Sequence, residues 1–351
     1  MRTLDALYEA QKIAFSPFVF QTAATLLDLN VLEVIENHRQ DRLTIDQLES
    51  HVDVSKYGLT VLLEMAIAAN IVEKDQEGRL ALTKVGYSIL KDEMTRVNLN
   101  FTRDVCYLGL HNLTDAIKNG KPEGLKMIGD WSTVYEGLSQ LPDHIKKSWF
   151  EFDHFYSDNA FSTALEIIFK ANPKMIFDIG GNTGKWAIAS AKYNDEVNVK
   201  IIDLPGQINV AQQNINKIES IANRVSYEAL NILDPKSEIP EGADVYWMSQ
   251  FLDCFSEQEI ESILLKIKKN AKKDSDVYIM ETFIDDQDFP AASFSLIATS
   301  LYFTAIANGN SKMYSKSVFK YIIEKAGFET VNEYRLNDSG YHTILHCKLK
   351  S

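Results

Sequence analysis

The pattern of apolar residues along the chain changes at Pro173. Beyond it, five short apolar runs alternate with amphipathic stretches: MIFDIG, VNVKIID, VSYEAL, DVYWMS and VYIMET. The runs predict buried strands, and their alternation with helices predicts parallel β-α-β units. The second half is therefore predicted to be an α/β fold with a doubly wound, Rossmann-like sheet. Because ligands of such sheets bind beyond the carboxyl ends of the strands, the residues after each run are the candidate site residues.

The first half has helical periodicity instead. The segment FSPFVFQTAATLLDLNVLEVIE repeats apolar residues on more than one helical face, which predicts a helix buried between subunits or domains. TIDQLESHV carries a Thr44/Gln47 capping box, and VSKYGLTVLLEMAIAAN predicts a second, very apolar helix. IVEKDQEGRLALT predicts a hairpin that turns at residues 76–78. Two helices followed by a hairpin predict a winged-helix arrangement.

This winged helix has two functional interpretations. DNA binding needs basic and amide side chains on the second helix, which offers only Lys56. Residues 41–90 hold five basic and eight acidic side chains. An apolar, net acidic surface favours packing on another chain, so we expect a homodimer. A ligand-responsive, DNA-binding regulator is the alternative from another functional class.

Length and charge narrow the possibilities further. With 351 residues the chain has room for two hydrophobic cores. We expect a helical and winged-helix dimerisation domain over 1–100, connecting helices that contribute to a substrate pocket over 101–165, and the α/β domain over 166–351. A net charge of −13 repels phosphate, so neither nucleic acid nor an anionic membrane is an expected partner. No run approaches the roughly 20 apolar residues of a membrane span.

Cysteine usage and the N-terminus indicate the compartment. The three cysteines, Cys106, Cys254 and Cys347, are widely scattered, which fits a reducing environment and excludes a CxxC metal site. The N-terminal residues lack the basic and then apolar segments of a secretory signal. We therefore expect a cytoplasmic protein without a bound metal.

A glycine loop follows the first strand of the α/β domain, in DIGGNTGKWAIASA, residues 178–191. Gly180 and Gly184 allow a sharp turn and close approach to a ligand, and Asn182 tolerates positive φ. A Walker A loop is excluded because Lys185 is followed by Trp186 rather than by serine or threonine. The loop therefore does not predict a nucleoside triphosphate as the ligand.

The acids near the loop indicate a different ligand. A dinucleotide loop would need glycine at Ile179, so that match is only partial. Asp178 precedes the glycines and suits a ligand that carries an ammonium group. Asp203 ends the second strand, where a carboxylate can take both hydroxyls of a ribose. The structural alternatives are a helix N-cap for Asp178 and a turn former for Asp203.

Five segments follow one another in the second half: DIGGNTG, IIDLPG, DVYWMSQFLDCFSEQE, YIMETF and YSKSVFKYIIEKAGFE. Together they resemble the motifs of the S-adenosylmethionine-dependent O-methyltransferases of the plant caffeate and hydroxyindole type, which have bacterial relatives that act on small molecules. Such enzymes also carry an N-terminal winged-helix dimerisation domain, so the resemblance extends over most of the chain. It implies a Rossmann-like methyltransferase sheet and S-adenosylmethionine as the cofactor. It also implies that Asp178, Gly180 and Gly184 bind the methionine end of the cofactor and that Asp203 binds the ribose.

The chain departs from the family pattern at three further positions. The family's acid after the third strand falls on Asn231, whose amide can still bond the adenine edge. The cofactor-contacting position on the fourth strand falls on Ser249. The family's His-Asp-Trp motif, whose histidine is the general base, falls on Asp253, Cys254 and Phe255. The histidine base is therefore absent.

An ordinary aspartate is a poor base for a phenol. Its pKa lies roughly 6 units below that of a phenol, which corresponds to about 8 kcal/mol for complete proton transfer. Burial among Phe251, Phe255 and Trp247 would raise the pKa of Asp253. An acceptor more acidic than a phenol would narrow the pKa gap from the other side. We expect Asp253 to be the base, with transfer to nitrogen or a carboxylate, or non-methylating chemistry, as alternatives.

Other residues complete the predicted site. Glu281, which ends the fifth strand, matches the family position that orients the base. His154 and His342 are the other candidate bases; His154 lies on an aromatic helix and His342 on a terminal strand, where packing roles are also expected. The family builds its acceptor pocket from a segment that includes Phe294, Tyr302 and Met313 here, and we expect His154 to line the same pocket. The expected reaction is methyl transfer to an oxygen of a small aromatic or polyene-like metabolite.

Overall fold

The computed structural model describes residues 2–336 and 341–350, without the side chains of Ser139 and Tyr156. The chain forms two compact units, Met1–Arg103 and Asp104–Ser351. The finer division at residues 100 and 165 stays a prediction.

The first unit consists of helices and one antiparallel hairpin. The hairpin pairs Val72 with Leu82 and turns at Gly78, whose φ is +78°. The predicted capping box is present, since the N–H of Gln47 donates to Thr44 Oγ1 and the N–H of Thr44 donates to Gln47 Oε1. The winged-helix assignment stays a prediction. The elements are α1 Thr3–Ala14, α2 Ser16–Asp28, α3 Val31–Asn37, α4 Ile45–Leu48, α5 Lys56–Ala68, β1 Val72–Lys74, β2 Leu80–Leu82, α6 Lys84–Lys91 and α7 Glu93–Phe101.

The long apolar segment of the first unit is two helices and not one. Helix α2 ends at Asp28, and Asn30 takes a left-handed conformation with φ of 56°. The chain bends by 65° between α2 and α3. Asparagine is among the few residues with a side chain that adopt this conformation at low cost, which explains why the break falls there. Leu26, Val31 and Leu32 are completely buried at the bend.

The second unit contains the sheet and its flanking helices. Its helices are α8 Leu113–Asn119, α9 Val134–Gly137, α10 Asp143–Ser157, α11 Phe161–Ile168, α12 Lys185–Tyr193, α13 Pro205–Ile215, α14 Glu219–Ala222, α15 Glu257–Asn270, α16 Pro290–Tyr302 and α17 Lys316–Lys325. Its strands are β3 Met175–Ile179, β4 Asn198–Asp203, β5 Val225–Ala229, β6 Val245–Ser249, β7 Asp276–Glu281, β8 Phe328–Arg335 and β9 Thr343–Leu349.

The seven strands lie in the order β5-β4-β3-β6-β7-β9-β8. Strands β3 to β7 are parallel, and each overlaps one of the five predicted apolar runs, with β7 beginning one residue before its run. The chain builds outward from β3 in both directions, so the order reverses between β3 and β6. In such sheets a ligand binds in the crevice at the carboxyl ends of the two strands on either side of that reversal.

Apolar side chains on both faces bury the central strands. Along β6, Tyr246 and Met248 belong to one core cluster, whereas Val245 and Trp247 belong to another. Successive side chains of a strand point to opposite faces, so these two clusters lie on the two sides of the sheet. Burial on both faces explains why the strands read as continuous apolar runs.

Two antiparallel strands complete the sheet. Strand β9 pairs with β7, and β8 pairs with β9 at the edge. Along β8 only Phe328 is buried, because the strand lies at the edge of the sheet. The sequence FETVNEYR therefore lacks the apolar run that predicted the other strands.

One helical segment, residues 290–307, is 18 residues long with a mean hydropathy of 1.4. Its length and composition alone would allow it to span a membrane. The core helices of globular domains often have the same length and composition. It comprises α16 and a π-helical turn, Phe303–Ala307, and 33% of it is buried.

Candidate active site

The glycine loop has the backbone conformation that its sequence predicts. Gly180 and Gly184 have φ of +77° and +83°, and Asn182 has φ of 48°. The N–H of Gly180 donates to the carbonyl of Ile202 at 2.9 Å, which ties the loop to β4. A Cβ atom at Gly180 would lie 2.2 Å from the ring of Phe251. The loop therefore passes too close to the end of β6 to accept any side chain at this position.

Asp178 is buried behind this loop with 2% of its surface exposed. Its Oδ2 has no hydrogen-bond partner within residues 2–336 and 341–350. It is not a helix N-cap, because α12 is capped at Gly184. Burial, and then the charge of Asp203, raises the pKa of Asp178 to about 8. An unpartnered buried carboxylate favours a ligand that brings a positive charge or a donor.

Asp203 holds the loop in place. Its Oδ2 accepts the N–H of Asn182 at 2.8 Å, and its Oδ1 accepts the N–H of Leu204 at 2.7 Å. Burial raises the pKa of Asp203 to about 6, although these two hydrogen bonds oppose the rise. Each carboxylate oxygen has a second lone pair, so both can still accept hydroxyls. The turn-former role and the ligand role of Asp203 are therefore compatible.

A cleft with an empty volume of about 470 Å³ opens beside the loop. Asp178, Gly180, Ser249 and Gln250 are among its lining residues, which places it at the reversal of strand order. Four further buried polar atoms of its wall lack a partner in the described part of the chain: Ser249 Oγ, Gln250 Oε1, Trp186 Nε1 and Trp247 Nε1.

Sequence reasoning missed Gln250. This residue has φ of 46°, an uncommon conformation for a side chain of this length. It follows the last residue of β6, and its N–H donates to the carbonyl of Met280 at 2.9 Å. Strain of this kind costs of order 1–3 kcal/mol and persists where the surrounding structure enforces it. No sequence signal marked Gln250, because only the backbone conformation singles it out.

Asn231 lies at an exposed turn after β5. Its Oδ1 accepts the N–H of Leu233 at 3.0 Å. Its amide nitrogen makes no hydrogen bond within the described residues and can donate to a ligand. Asn231 is not among the residues that line the cleft, so its predicted contact with an adenine edge stays a proposal.

Asp253 lies in a short 3₁₀ turn, Leu252–Cys254, beyond β6. It is 6% exposed, and its Oδ1 accepts from Cys254 Sγ at 3.5 Å. Burial is the main cause that raises the pKa of Asp253 to about 7, and the charge of Asp153 contributes to the rise. The expected effect of burial on this carboxylate is therefore present.

Glu281 ends β7 and fastens the turn that carries Asp253. Its Oε1 accepts the N–H groups of Phe251 and Leu252 at 3.2 and 2.9 Å. Only 1% of Glu281 is exposed, and burial followed by the charge of Asp253 raises its pKa well above the ordinary value. A protonated Glu281 keeps a carbonyl oxygen for both N–H groups, so it fits a positioning role.

Tyr302 and Met313 are buried, and the hydroxyl of Tyr302 accepts from Trp149 Nε1 at 2.7 Å. Neither is among the residues that line the cleft, so their place in an acceptor pocket stays a prediction. Phe294 is different, because 73% of it is exposed on the outer face of α16. Phe294 is also not among the residues that line the cleft, so its predicted place in the acceptor pocket stays a prediction.

The two histidines differ in their placement. His154 lines the cleft, and its Nδ1 lies 3.6 Å from Asp158 Oδ1. His342 is 1% exposed, and burial lowers its pKa to about 4, so it is neutral at physiological pH. It does not line the cleft. No group of three or more potential metal ligands occurs within the described residues.

Comparison with known proteins identifies the family. Residues 145–329, more than half of the chain, match the model of the O-methyltransferase domain. Residues 8–79 match a dimerisation2-like domain. The chain therefore belongs to the O-methyltransferase family.

Individual proteins resemble the chain over nearly its whole length. The chain is 22% identical over 334 residues to the L-tyrosine C(3)-methyltransferase of Streptomyces lavendulae, covering 94% of this chain and 88% of that protein. The structure of the mitomycin 7-O-methyltransferase superimposes with a TM-score of 0.72 at 16% identity, covering 99% of this chain and 98% of the other. A second structure is that of an O-methyltransferase from neocarzinostatin biosynthesis, in complex with S-adenosylmethionine and 2-hydroxy-5-methyl naphthoic acid. It superimposes with a TM-score of 0.63 at 18% identity, covering 95% of this chain and 96% of the other.

The residues of the cleft fit S-adenosylmethionine. The unpartnered Asp178 Oδ2 suits the ammonium of its methionine end. Asp203, which is not among the lining residues, holds the glycine loop and keeps lone pairs for ribose hydroxyls. Gly180 provides a wall without a side chain, next to the unpartnered Ser249 Oγ and Gln250 Oε1. The site thus offers donors and acceptors that the rest of the chain leaves unused.

Proposed function

We propose that this chain transfers a methyl group from S-adenosylmethionine to a phenolic oxygen of a small aromatic acceptor, with Asp253 as the base. The observation that carries the proposal is a buried carboxylate, Asp253, held beyond β6 by Glu281 next to a cleft lined with unpartnered polar atoms. When bound, S-adenosylmethionine supplies an electrophilic methyl group. The chain has to position the acceptor and take its proton.

The environment of Asp253 supports its role as a base. With a pKa of about 7 instead of 3.8, its gap to a phenol of pKa near 10 narrows to roughly 3 units. The cost of complete proton transfer falls from about 8 to about 4 kcal/mol. A base with a pKa near the working pH is also present in its unprotonated form in a large fraction of molecules. Burial thus compensates for the absent histidine.

Glu281 acts as a positioning residue in this proposal. It accepts two backbone N–H groups from the turn that holds Asp253 and does not need to lose a proton itself. Tyr302 and Met313 form part of the proposed acceptor wall. His154 lies on the cofactor side of the cleft, next to Asp158.

Transfer to a ring carbon is the second candidate. The Streptomyces relative is an L-tyrosine C(3)-methyltransferase, and it matches 94% of this chain. A phenol that has lost its proton is nucleophilic at its ortho carbons as well as at oxygen, so the same base would serve both reactions. Nuclear magnetic resonance of the product separates them, because an O-methyl and an aryl C-methyl group have different carbon shifts.

Assembly as a homodimer belongs to the proposal. The dimerisation2-like domain over residues 8–79 supports it, as do the exposed apolar side chains of α1 and α2. Ile13 is 76% exposed and Phe18 is 63% exposed. We also propose a cytoplasmic location without nucleic acid as a partner; a gel shift at low salt would reveal DNA binding if the regulator alternative were correct.

The proposed reaction is tested by incubating the protein with S-adenosylmethionine and a panel of phenols and catechols. We expect S-adenosylhomocysteine to form only when an acceptor is present. One molecule of methylated product should appear for each molecule of S-adenosylhomocysteine. Saturable cofactor binding without turnover of any phenol, catechol, amine or carboxylic acid would contradict methyl transfer and favour a protein that binds the cofactor for another purpose.

A further inference from the structure

Two tryptophans that the sequence motifs did not single out as site residues lie in the wall of the cleft. Trp186 lies in the first turn of α12, directly after the glycine loop, and Trp247 lies on β6. Their rings stack with centroids 4.1 Å apart and an angle of 18° between the ring planes. We call these two residues the indole pair. Both members line the same cleft as the glycine loop.

The register of the sheet places the indole pair beside Asp178. Asp178 on β3 and Trp247 on β6 are register partners in neighbouring parallel strands. Register partners point to the same face of a sheet, and neighbouring strands lie about 4.8 Å apart. The unpartnered carboxylate oxygen of Asp178 and the indole pair therefore belong to one wall of the cleft.

Both indole N–H groups lack an acceptor. Trp186 is 3% exposed and Trp247 is 0% exposed, and neither Nε1 atom has a hydrogen-bond partner within residues 2–336 and 341–350. A buried tryptophan N–H usually has a partner, because leaving such a donor unpaired costs free energy. Trp149 follows this rule, since its Nε1 donates to the hydroxyl of Tyr302. Two adjacent tryptophans with unused donors favour a ligand that brings an acceptor.

The lysine in the cleft is already paired. Among the lining residues that the structure describes, Lys185 is the only lysine or arginine, and its Nζ lies 2.5 Å from Asp158 Oδ2. An anionic group of a ligand therefore meets neutral donors at the indole pair. An indole N–H can only donate, and its hydrogen bond is stronger when the acceptor is ionised. A carboxylate has two oxygens, so it can accept from both indoles.

The two kinds of unpartnered group in this wall match an α-amino acid, which carries an ammonium and a carboxylate on one carbon. We propose that the indole pair binds the carboxylate of the cofactor's amino-acid end, while Asp178 binds its ammonium. The two tryptophans are then specificity-determining residues that select a ligand with both charges. This inference rests on the proposed function, because it takes S-adenosylmethionine as the ligand of the cleft.

The test compares two ligands that differ only in the carboxylate. S-adenosylhomocysteine carries this group, and its decarboxylated analogue, an aminopropyl thioether of adenosine, keeps the ammonium and the nucleoside. Each is titrated calorimetrically into the full-length protein. We expect S-adenosylhomocysteine to bind about tenfold or more tightly than the analogue, because hydrogen bonds to a charged group are lost in the analogue.

Variants assign the preference to the indole pair. Trp186→Phe and Trp247→Phe remove the N–H groups and keep a ring in each position. Each should reduce the preference for the carboxylate severalfold, and the double variant should reduce it to within about twofold. A loss of packing would weaken both ligands alike, so the ratio of their affinities reports the hydrogen bonds. Trp131→Phe, at a partly buried tryptophan outside the lining residues, is the matched control and should leave the ratio unchanged.

Nuclear magnetic resonance gives a measurement that needs no variant. The chain has four tryptophans, so isotope-labelled tryptophan gives four indole N–H signals. We expect two of them to move downfield when S-adenosylhomocysteine binds, because a hydrogen bond to a carboxylate deshields the proton. The decarboxylated analogue should not produce this movement.

Three results would overturn the inference. The first is equal binding of the two ligands by the parent protein. The second is a preference for the carboxylate that persists in the double variant, which would assign this group to other donors such as Lys185. The third is a set of indole signals that responds in the same way to both ligands. Failure of the parent protein to bind either S-adenosylhomocysteine or S-adenosylmethionine would instead contradict the proposed function itself.

Discussion

At the scale of single residues, burial sets the chemistry of the site. Asp178, Asp203 and Asp253 each have a raised pKa with burial as the largest cause. Removing a carboxylate from water disfavours its charged form. The same carboxylates are therefore suited either to accept a proton or to bind a cation.

The pH dependence of turnover tests Asp253. Only the ionised carboxylate can take a proton, so kcat/KM for a phenol should rise with pH through about 7 and then level off. Asp253→Asn should lower kcat by about a hundredfold or more, because the base is lost. Asp253→His should restore part of the activity.

Asp274→Asn, at an exposed acid between α15 and β7, is the control and should behave as the parent does. A pH profile of Asp253→Asn that matches the parent in height and midpoint would remove Asp253 from the role of base.

Two substitutions of Glu281 test whether it acts through its carbonyl oxygen or through its charge. Glu281→Ala removes the acceptor of two backbone N–H groups, so the free energy of unfolding should fall by roughly 2 kcal/mol or more. Glu281→Gln keeps the carbonyl oxygen and should cost less than about 1 kcal/mol. Urea unfolding measures both, with Glu329→Ala on the exposed edge strand as control. Equal losses for Gln and Ala would show that the charge of Glu281 matters and not its carbonyl.

At the scale of elements, the glycine loop joins β3 to α12 and forms one wall of the cleft. Gly180 has φ of +77°, and a Cβ atom there would lie 2.2 Å from Phe251. Gly78, in the hairpin of the first unit, has φ of +78° with nothing within 4 Å of a Cβ atom. The two glycines have nearly the same positive φ but differ in their surroundings.

This pair allows a matched test of the loop. Gly78→Ala should lower the free energy of unfolding by about 1 kcal/mol through backbone strain alone and leave cofactor affinity unchanged. Gly180→Ala should also displace Phe251 and weaken S-adenosylmethionine binding by tenfold or more in calorimetry. If both variants bound the cofactor as the parent does, the loop would not form the cofactor site.

Some elements of the fold could be predicted from the sequence and others could not. The five parallel strands were predictable because burial on both faces leaves continuous apolar runs. The loop was predictable because Gly180, Gly184 and Asn182 tolerate the positive φ that they adopt. Strand β8 was not, since an edge strand with one buried residue has no such run. The indole pair and Gln250 were missed because their place in the cleft depends on tertiary packing and backbone strain, which no local pattern encodes.

At the level of the whole molecule, the oligomeric state in solution can be tested. We expect a dimer in analytical ultracentrifugation, because α1 and α2 carry several exposed apolar side chains, which favour association. Ile13→Glu combined with Phe18→Glu should shift the protein toward monomers. Ile117→Glu, at an exposed apolar residue of the second unit, is the control. A parent protein that sediments as a monomer at all concentrations would contradict the dimer.

Calorimetric titration of S-adenosylmethionine, and separately of NAD, into the purified protein tests directly whether the cleft is a cofactor site. We expect saturable binding of S-adenosylmethionine at one site per chain. We expect no binding of NAD, because position 179, where a pyrophosphate-binding loop needs glycine, is isoleucine. Binding of NAD alone, or of neither ligand, would contradict the assignment of this cleft.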